Sequence, residues 1–147
     1  MSKTHEFNGF GCTGEDKSPE LSWSDAPNDT KAFALMVHDA DAPTDSSWWH
    51  WQVINIPASV NKLAQNAGHP KNNQLPKGSI QITNDYGIKG FGGACPPKGH
   101  GIHHYRFTLY ALKTPLNIPK GASSALVSFQ VKANAIDSTT LEALYKR

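Results

Sequence analysis

The segment His104–Lys113 constrains the possible folds of this 147-residue chain more than any other part of the sequence. Its apolar and polar residues alternate, which is typical of a β-strand that buries one face. The apolar members at every second position are Tyr105, Phe107, Leu109 and Ala111. Because an amphipathic helix needs apolar residues three or four positions apart, this pattern excludes a helix and predicts a sheet with a hydrophobic face.

Three further segments have strand character. Ala32–His38 is an almost continuous apolar run, as expected for a buried strand. Trp48–Ile56 alternates imperfectly, with Trp49 and Trp51 on one predicted face, and both of its faces look covered as in the middle of a sheet. Gly78–Asn84 alternates more cleanly. The proline, glycine, asparagine and aspartate residues between these segments supply turns.

A late segment, Ser123–Ile136, follows a helical period instead. Ser123 or Ser124 can cap the start of this helix. Leu141–Tyr145 alternates again and predicts a last short strand. The sequence therefore predicts one mostly antiparallel, sandwich-like β-domain over residues 1–147, with one packed helix near its C-terminus. The predicted inner face of the helix comprises Ala125, Leu126, Phe129, Ala133 and Ile136.

Charge and hydropathy narrow the function classes. Charged residues make up 18% of the chain, against about 25% in typical soluble domains, and the net charge is +2. The longest basic run is Lys146–Arg147, so the sequence lacks the basic patch that nucleic-acid binding requires. The longest apolar run, Ala32–Val37, is far shorter than the roughly 20 residues of a membrane helix. We therefore expect neither nucleic-acid binding nor membrane insertion.

The N-terminus and the cysteines bear on the compartment. The sequence begins Met1-Ser2-Lys3 without the apolar segment of a secretory signal, which as written predicts a cytoplasmic protein. Cys12 and Cys95 lie far apart and lack a CxxC spacing. In the cytoplasm they would be free thiols, whereas two cysteines also suffice for one structural disulfide, and the sequence leaves both alternatives open.

Two segments carry candidate chemistry. Asp39 and Asp41 are two positions apart and share one side of an extended chain, so they form either a polar turn closed by Pro43 or a pair of carboxylates for acid–base chemistry. The second segment, Gly87–Tyr105, contains half of the twelve glycines. Glycine lets the backbone approach a neighbour or a ligand closely. The segment also holds imidazoles that can bind an anion, a proton or a metal: His100, His103 and His104.

Metal and covalent chemistry are weaker interpretations. The adjacent side chains of His103 and His104 diverge along a strand, so we expect no zinc site from them with His100, His50 or Asp39. Cys95 could act as a nucleophile with a histidine base, but Pro96 after it argues against the helix N-terminus that usually activates a thiol. We expect most of the indoles in residues 48–51 to belong to the core.

Short motifs occur in a fixed order along the chain: Gly11–Gly14, Ser18–Trp23, Asp39–Pro43, Trp49–Trp51, Asn84–Gly87, Gly92–Pro97 and His103–Tyr105. Together they resemble the phosphatidylethanolamine-binding protein family, also called the Raf kinase inhibitor-like family, and its bacterial YbhB/YbcL branch in particular. Each motif is weak by itself, whereas the ordered set is specific. The resemblance extends from about Phe10 to the C-terminus.

The resemblance implies a PEBP-like antiparallel β-sandwich with a C-terminal helix, short connecting helices and a small anion-binding pocket at one end of the sheet. Carried over motif by motif, it implies support of the pocket loops by Asp41, Pro43 and Cys95, and a cis Ala42–Pro43 peptide bond. His50 and His103 would donate N–H bonds to a phosphoryl oxygen, while a carboxylate orients an imidazole. The implied ligand-binding residues are Asp39, His50, Pro96, Pro97, His103 and Tyr105.

By this resemblance we expect a binding protein without enzymatic activity, cofactor or metal. It would take phosphoryl or other small anionic ligands and regulate a protein partner such as a kinase or protease, and a homodimer is compatible with it. The alternative is a hydrolase that uses His50 or His103 with Asp39. Relatives usually carry another segment before the GFGC stretch, and secreted members have a signal peptide there. In a mature periplasmic form, Cys12 and Cys95 would be candidate disulfide partners.

Overall fold

The computed structural model describes residues 1–72 and 74–147. Strands dominate this part of the chain, and they are joined by turns rather than by long helices. The elements are a 3₁₀-helix Lys3–His5, strands β1 Asn8–Gly9, β2 Cys12–Thr13, β3 Leu21–Ser22, β4 Ala32–Asp39, β5 Trp48–Pro57, β6 Lys62–Leu63, β7 Ile80–Gln81 and β8 His103–Leu112, helix α1 Ser124–Asn134, and strand β9 Ala135–Tyr145.

Five strands form the central sheet in the order β7-β5-β4-β8-β9, and every neighbouring pair is antiparallel. Two small antiparallel pairs, β1-β2 and β3-β6, lie outside it. The predicted mostly β fold with a C-terminal helix is confirmed. The three long strands predicted from hydrophobic patterning are β4, β5 and β8.

Strand β4 owes its continuous apolar sequence to cores on both faces of the sheet. Its odd-numbered residues Phe33, Leu35 and Val37 pack in one cluster with residues of β5 and β8. Its even-numbered residues, such as Ala34 and Met36, pack in a second cluster under helix α1. Since successive side chains of a strand point to opposite faces, a strand covered on both sides has no polar face to show.

A β-bulge at His50 sets the direction of the tryptophan side chains. Val37 pairs with Trp51 and the next residue, His38, pairs with Trp49, so His50 is the extra residue on β5. Trp51 therefore lies in the first core, and Trp49 packs against the second. The prediction that these two indoles share a face was wrong, because the bulge breaks the period of two between them.

Helix α1 buries a different face from the predicted one. Ser123 caps the helix, its Oγ accepting a hydrogen bond from the Leu126 amide at 3.1 Å. Val127 and Val131 are fully buried, whereas Phe129 is 68% exposed. The segment has apolar residues on more than one side, so its spacing alone could not identify the side that meets the sheet.

The ends of the sheet also differ from the sequence prediction. The short strand predicted at Leu141–Tyr145 is the end of β9, which begins directly after the helix and pairs with β8 along most of its length. Most β9 side chains are exposed, so the strand is defined by backbone pairing and lacks an alternating pattern. Conversely, only Ile80–Gln81 of the predicted strand Gly78–Asn84 is regular, because a turn begins at Asn84 and Gly87 there adopts φ +80°.

Buried Glu6 ties the N-terminal segment to the last strand. Its carboxylate accepts hydrogen bonds from Lys3 Nζ at 2.6 Å, from the Thr13 amide at 2.9 Å and from the Tyr145 hydroxyl. Burial by itself raises the pKa of Glu6, but the hydrogen bonds from Lys3, Tyr145 and Thr13 outweigh it and lower the pKa to about 2. The ionised carboxylate is therefore stabilised by the fold.

We expect this carboxylate to make the fold sensitive to acid. Because the pKa of Glu6 is lower in the folded chain, its stabilisation is complete above the ordinary value of 4.5 and is lost as the pH falls towards 2. Chemical denaturation between pH 6 and pH 2 should show Glu6→Gln losing on the order of 1 to 3 kcal/mol less than the unsubstituted protein. The matched control is Glu20→Gln, at an exposed glutamate. Equal acid sensitivity of the two variants would contradict the prediction.

Candidate functional site

Three strand ends of the central sheet meet at one cavity of about 380 Å³. β4 ends at Asp39, β5 begins at Trp48 and β8 begins at His103, and antiparallel pairing brings these termini to the same edge. The cavity is lined by all six residues assigned to ligand binding and by the supporting residues Pro43 and Cys95. The polypeptide thus brings together the acidic motif, the tryptophan strand, the proline-rich loop and the His-His-Tyr motif.

A buried carboxylate–imidazole pair lies at the end of β4 and β8. His103 Nδ1 is 2.7 Å from Asp39 Oδ2, and both side chains are almost fully buried. Since a carboxylate only accepts, His103 Nδ1 carries the proton and donates it to Asp39. The other Asp39 oxygen, Oδ1, accepts the Asp41 amide at 2.9 Å. Asp39 therefore orients an imidazole as expected, and that imidazole is His103.

An exposed histidine occupies the second nitrogen of His103. His100 Nδ1 lies 2.7 Å from His103 Nε2, which extends the pair into a chain of Asp39, His103 and His100. The sequence identified His100 only as one of three imidazoles able to bind an anion, a proton or a metal, because a residue three positions before a strand start gives no signal of its direction. The contact depends on the turn through Gly99 and Gly101, which both have positive φ.

His50 presents only one nitrogen to the cavity. Its Nδ1 donates to the Gly92 carbonyl at 2.7 Å, so Nε2 is the atom that remains for a ligand. Burial lowers the pKa of His50, and the hydrogen bond to Gly92 and the charge of Asp39 oppose this shift without cancelling it. His50 is thus held in its neutral form with Nε2 as an acceptor. Its predicted role as an N–H donor to a phosphoryl oxygen requires a protonation that the surroundings disfavour.

Two tyrosines line the cavity as neutral phenols. Burial raises the pKa of both Tyr105 and Tyr86, with the charge of Asp39 adding to the shift in each case. Tyr105 projects on the same side of β8 as His103, as the two-residue spacing predicts, and its ring stands edge-on to His50 with centroids 5.2 Å apart. Tyr86 donates its hydroxyl proton to the Gly93 carbonyl at 2.9 Å.

Arg147 brings a permanent positive charge to the cavity. Its Nε donates to the Pro96 carbonyl at 2.7 Å and its Nη1 to the Gly11 carbonyl at 3.0 Å. These bonds hold the guanidinium between the proline-rich loop and the β1–β2 turn, and Nη2 remains for a ligand. The sequence showed only that the chain has few arginines. Arg147 lies 108 residues after Asp39 in the chain, and no sequence pattern indicated that the two line one cavity.

The loop after β4 is held by Asp41 rather than by a cis proline. Asp41 Oδ2 accepts the His104 amide at 2.8 Å and His104 Nδ1 at 2.7 Å, and these two hydrogen bonds lower the pKa of Asp41. The supporting role implied for Asp41 is thus a link between this loop and β8. The cis bond implied for Ala42–Pro43 was wrong: the described peptide bonds are all trans, and the loop closes through these side-chain contacts.

A disulfide joins Cys12 of β2 to Cys95 beside the cavity. It holds the β1–β2 turn at the mouth, where Phe10 is 74% exposed and packs on Tyr86 with ring centroids 5.7 Å apart. Because Cys95 is bonded, it has no thiol to act as a nucleophile. Six cavity residues were missing from the set assigned by motif: Phe10, Ala42, Thr44, Trp48, Tyr86 and Arg147.

Trp48 lines the cavity and carries a buried indole N–H group. Its indole Nε1 is buried and, within the described part of the chain, has no hydrogen-bond partner. Trp51 is fully buried as expected for a core indole, whereas Trp48 is only partly covered. The expectation that the tryptophan cluster is mostly core therefore holds for Trp51 and fails for Trp48, which forms part of the site.

Residues 1–72 and 74–147 contain no group of three or more side chains arranged to hold a metal ion. His103 and His104 diverge as expected, one towards Asp39 and the other towards Asp41. Over the same residues, no helix has the length and apolar character needed to cross a membrane.

The fold and the site define a class of β-sheet protein that has a buried Asp–His pair in a cavity at one edge of the sheet, with a disulfide beside the mouth of that cavity. Comparison with known proteins gives the family. The sequence profile of the family described as phosphatidylethanolamine-binding protein matches residues 2–146. The chain belongs to this family, as the ordered motifs predicted.

Two relatives come from Escherichia coli strain K12. The UPF0098 protein YbcL is 48% identical over 99% of this chain and 80% of its own length. The UPF0098 protein YbhB is 42% identical over 96% of this chain and 89% of its own length.

Solved structures show the same fold. The crystal structure of E. coli YbcL, described as a new member of the mammalian PEBP family, superposes with a TM-score of 0.97 at 47% identity, covering 100% of this chain and 90% of that one. The PEBP homolog CT736 from Chlamydia trachomatis superposes with a TM-score of 0.83 at 30% identity, covering 100% and 89%.

Proposed function

We propose that the chain binds small phosphorylated or other anionic ligands in the Asp39 cavity, without chemical turnover. The observation that carries the proposal is the convergence of the Arg147 guanidinium, the Tyr105 phenol and the His103 imidazole on one cavity. A guanidinium and neutral hydroxyl donors are groups that bind phosphoryl oxygens in proteins. With a volume of about 380 Å³, the cavity has room for a phosphoryl group and a short substituent.

The cavity offers hydrogen-bond donors and one hydrogen-bond acceptor to a ligand. Arg147 and Tyr105 supply donors, while neutral His50 supplies an acceptor at Nε2. An anion that also carries a proton, such as a phosphomonoester or hydrogen phosphate, satisfies both kinds of group. A ligand with acceptors alone would leave His50 Nε2 unpaired, which costs free energy in a buried site.

The same geometry favours a second candidate, a hydrolase. In hydrolases a buried carboxylate commonly orients a histidine that acts as a general base, and Asp39 and His103 stand in that relation. Water would have to be the nucleophile, because Cys95 is in a disulfide and the Thr44 hydroxyl donates to the Ser47 carbonyl. Sustained release of p-nitrophenol from p-nitrophenyl phosphate that is lost in His103→Ala would favour hydrolysis over binding.

The proposal also covers the cellular compartment and a protein partner. The Cys12–Cys95 disulfide supports an oxidising compartment such as the periplasm rather than the cytoplasm, because disulfides persist mainly where thiols are not kept reduced. A protein partner such as a kinase or protease would sense the ligand at the mouth, where Phe10 is exposed.

Inorganic phosphate tests the binding proposal directly. At ten times its Kd, phosphate should stabilise the fold by about 1.4 kcal/mol and raise Tm by roughly 3 to 6 °C. His103→Ala should remove most of this shift.

The control variant is His69→Ala, which removes an imidazole that does not line the cavity. It should keep the phosphate-dependent shift, and potassium chloride at equal ionic strength should not reproduce the shift. An unchanged Tm of the unsubstituted protein at high millimolar phosphate would refute anion binding. A shift that persists in His103→Ala would move the binding role to Arg147 and Tyr105.

A further inference from the structure

We propose that His100 is a gate on His103: its imidazole holds Nε2 of His103 and has to swing away before that nitrogen can bind an anion. The inference rests on the proposed function, since it concerns how the same site takes its ligand. It starts from the 2.7 Å contact between His100 Nδ1 and His103 Nε2. With Nδ1 bonded to Asp39, this contact leaves His103 no free nitrogen, although its side chain lines the cavity.

The hydrogen bond between His100 and His103 and the binding of an anion at His103 Nε2 exclude each other, as the positions of the protons show. His103 Nδ1 donates to Asp39, so in neutral His103 the Nε2 atom is an acceptor and His100 Nδ1 must donate to it. This nitrogen has a single lone pair and His100 uses it, so neither an anionic oxygen nor a protonated phosphoryl oxygen can bind there while the contact lasts.

Adding one proton does not by itself open the site. If His103 is protonated and His100 takes the tautomer with its proton on Nε2, the new His103 Nε2–H points at His100 Nδ1 rather than into the cavity. If both rings are protonated, two N–H groups and two positive charges face each other, and the contact breaks. Anion binding at His103 therefore requires His100 to leave, driven by the ligand or by the second proton.

The turn that carries His100 allows this movement. Gly99 and Gly101 flank it with φ of +75° and +100°, and an added Cβ at either position would meet no atom within 4 Å. The backbone is anchored, because the His100 amide donates to the Pro97 carbonyl at 3.1 Å and the Gly99 amide to the Arg147 carbonyl at 3.3 Å. The side chain is exposed, and in the described part of the chain its hydrogen-bond partner is His103 alone. Rotation of the imidazole thus breaks one hydrogen bond and one ring contact, that with His103, whose ring centroid lies 5.0 Å away.

Other titratable groups adjoin this chain of three residues. The titratable neighbours on the surrounding elements are Asp39 and Asp41 on the β4 side, His50 and Tyr86 beyond Tyr105, His104 and Tyr105 on β8, Tyr145 on β9, Arg147 at the mouth, and Lys98 two positions before His100 in the chain.

A ligand-free experiment tests the gate without reference to any anion. Diethyl pyrocarbonate acylates the free lone pair of neutral imidazole nitrogens, and the Nε2 lone pair of His103 is occupied by His100. The rate of acylation at His103, followed by tandem mass spectrometry, should rise about 2- to 10-fold in His100→Ala, the range expected for loss of one hydrogen bond. His69→Ala should leave the rate unchanged. An equal rate in His100→Ala and the unsubstituted protein would overturn the gate.

Phosphate binding supplies the second readout. By isothermal titration at pH 7.5, His100→Ala should bind phosphate about 2- to 10-fold more tightly than the unsubstituted protein, because the ligand no longer displaces the imidazole. Weaker binding in His100→Ala would overturn the gate and make His100 a ligand-binding residue. If neither protein binds phosphate, the proposed function fails, and the acylation rates still decide whether His100 covers His103.

Discussion

Removal of the disulfide by Cys12→Ser together with Cys95→Ser is expected to lower the free energy of unfolding by about 4 kcal/mol. The two cysteines are 83 residues apart in sequence, so the bond excludes many extended conformations of the unfolded chain. For a domain of this length, that loss corresponds to a fall in Tm of roughly 10 °C or more. Urea denaturation of the variant and the oxidised protein measures the difference.

The same substitution should weaken phosphate binding. The disulfide fixes the β1–β2 turn, whose Gly11 carbonyl accepts a hydrogen bond from Arg147. Without it, the guanidinium loses one of its two anchors. Dithiothreitol should destabilise the unsubstituted protein by a similar amount and leave the double variant unaffected. Two free thiols in the unfolded, unreduced protein would contradict the prediction, because they would show that Cys12 and Cys95 are not bonded in solution.

We expect Asp39→Asn to have the largest effect on the site itself. The Asp39 carboxylate accepts two N–H groups, His103 Nδ1 on Oδ2 and the Asp41 amide on Oδ1. An asparagine has one carbonyl oxygen, so its NH₂ group must face one of these two donors. The unpaired buried donor should cost about 1 to 3 kcal/mol of stability, and phosphate affinity should fall about tenfold because His103 loses the hydrogen bond that orients its imidazole.

The matched control is Asp45→Asn, which removes the same charge from an exposed position in the loop after β4. It should change phosphate affinity little, because an exposed charge is screened by solvent. Isothermal titration of both variants decides between two views of the site. Tighter binding in Asp39→Asn would mean that the carboxylate acts mainly by repelling the anion, and that His103 is not a donor.

The strands that build the site could be predicted because their signal is local. β4 and β8 were found from runs and alternation of apolar residues, and their ends place Asp39 and His103 at one edge. The ordered motifs then identified residues of four separate segments that do line one cavity. Prediction failed where the outcome depended on contacts between distant segments. The inner face of α1 is one such case, since which valines are buried depends on how the helix lies on the sheet.

The sequence did not identify the remaining cavity residues for the same reason. Arg147 reaches the site because β9 runs the full length of β8, and most of β9 is exposed and carries no alternating pattern. His100 meets His103 through a turn with two glycines in the left-handed region, a geometry that adjacent residue types do not specify.

By itself, the sequence determined that this protein is a mostly β member of its family, and that Asp39, His50, His103 and Tyr105 share a pocket. Hydrophobic period and ordered motifs are local properties of the chain, and one sequence displays them fully. Only the tertiary structure decided which nitrogen of each histidine is free, because that depends on the Gly92 carbonyl for His50 and on Asp39 and His100 for His103. Protonation and ligand access follow from those hydrogen bonds, and they exist only after distant segments have packed together.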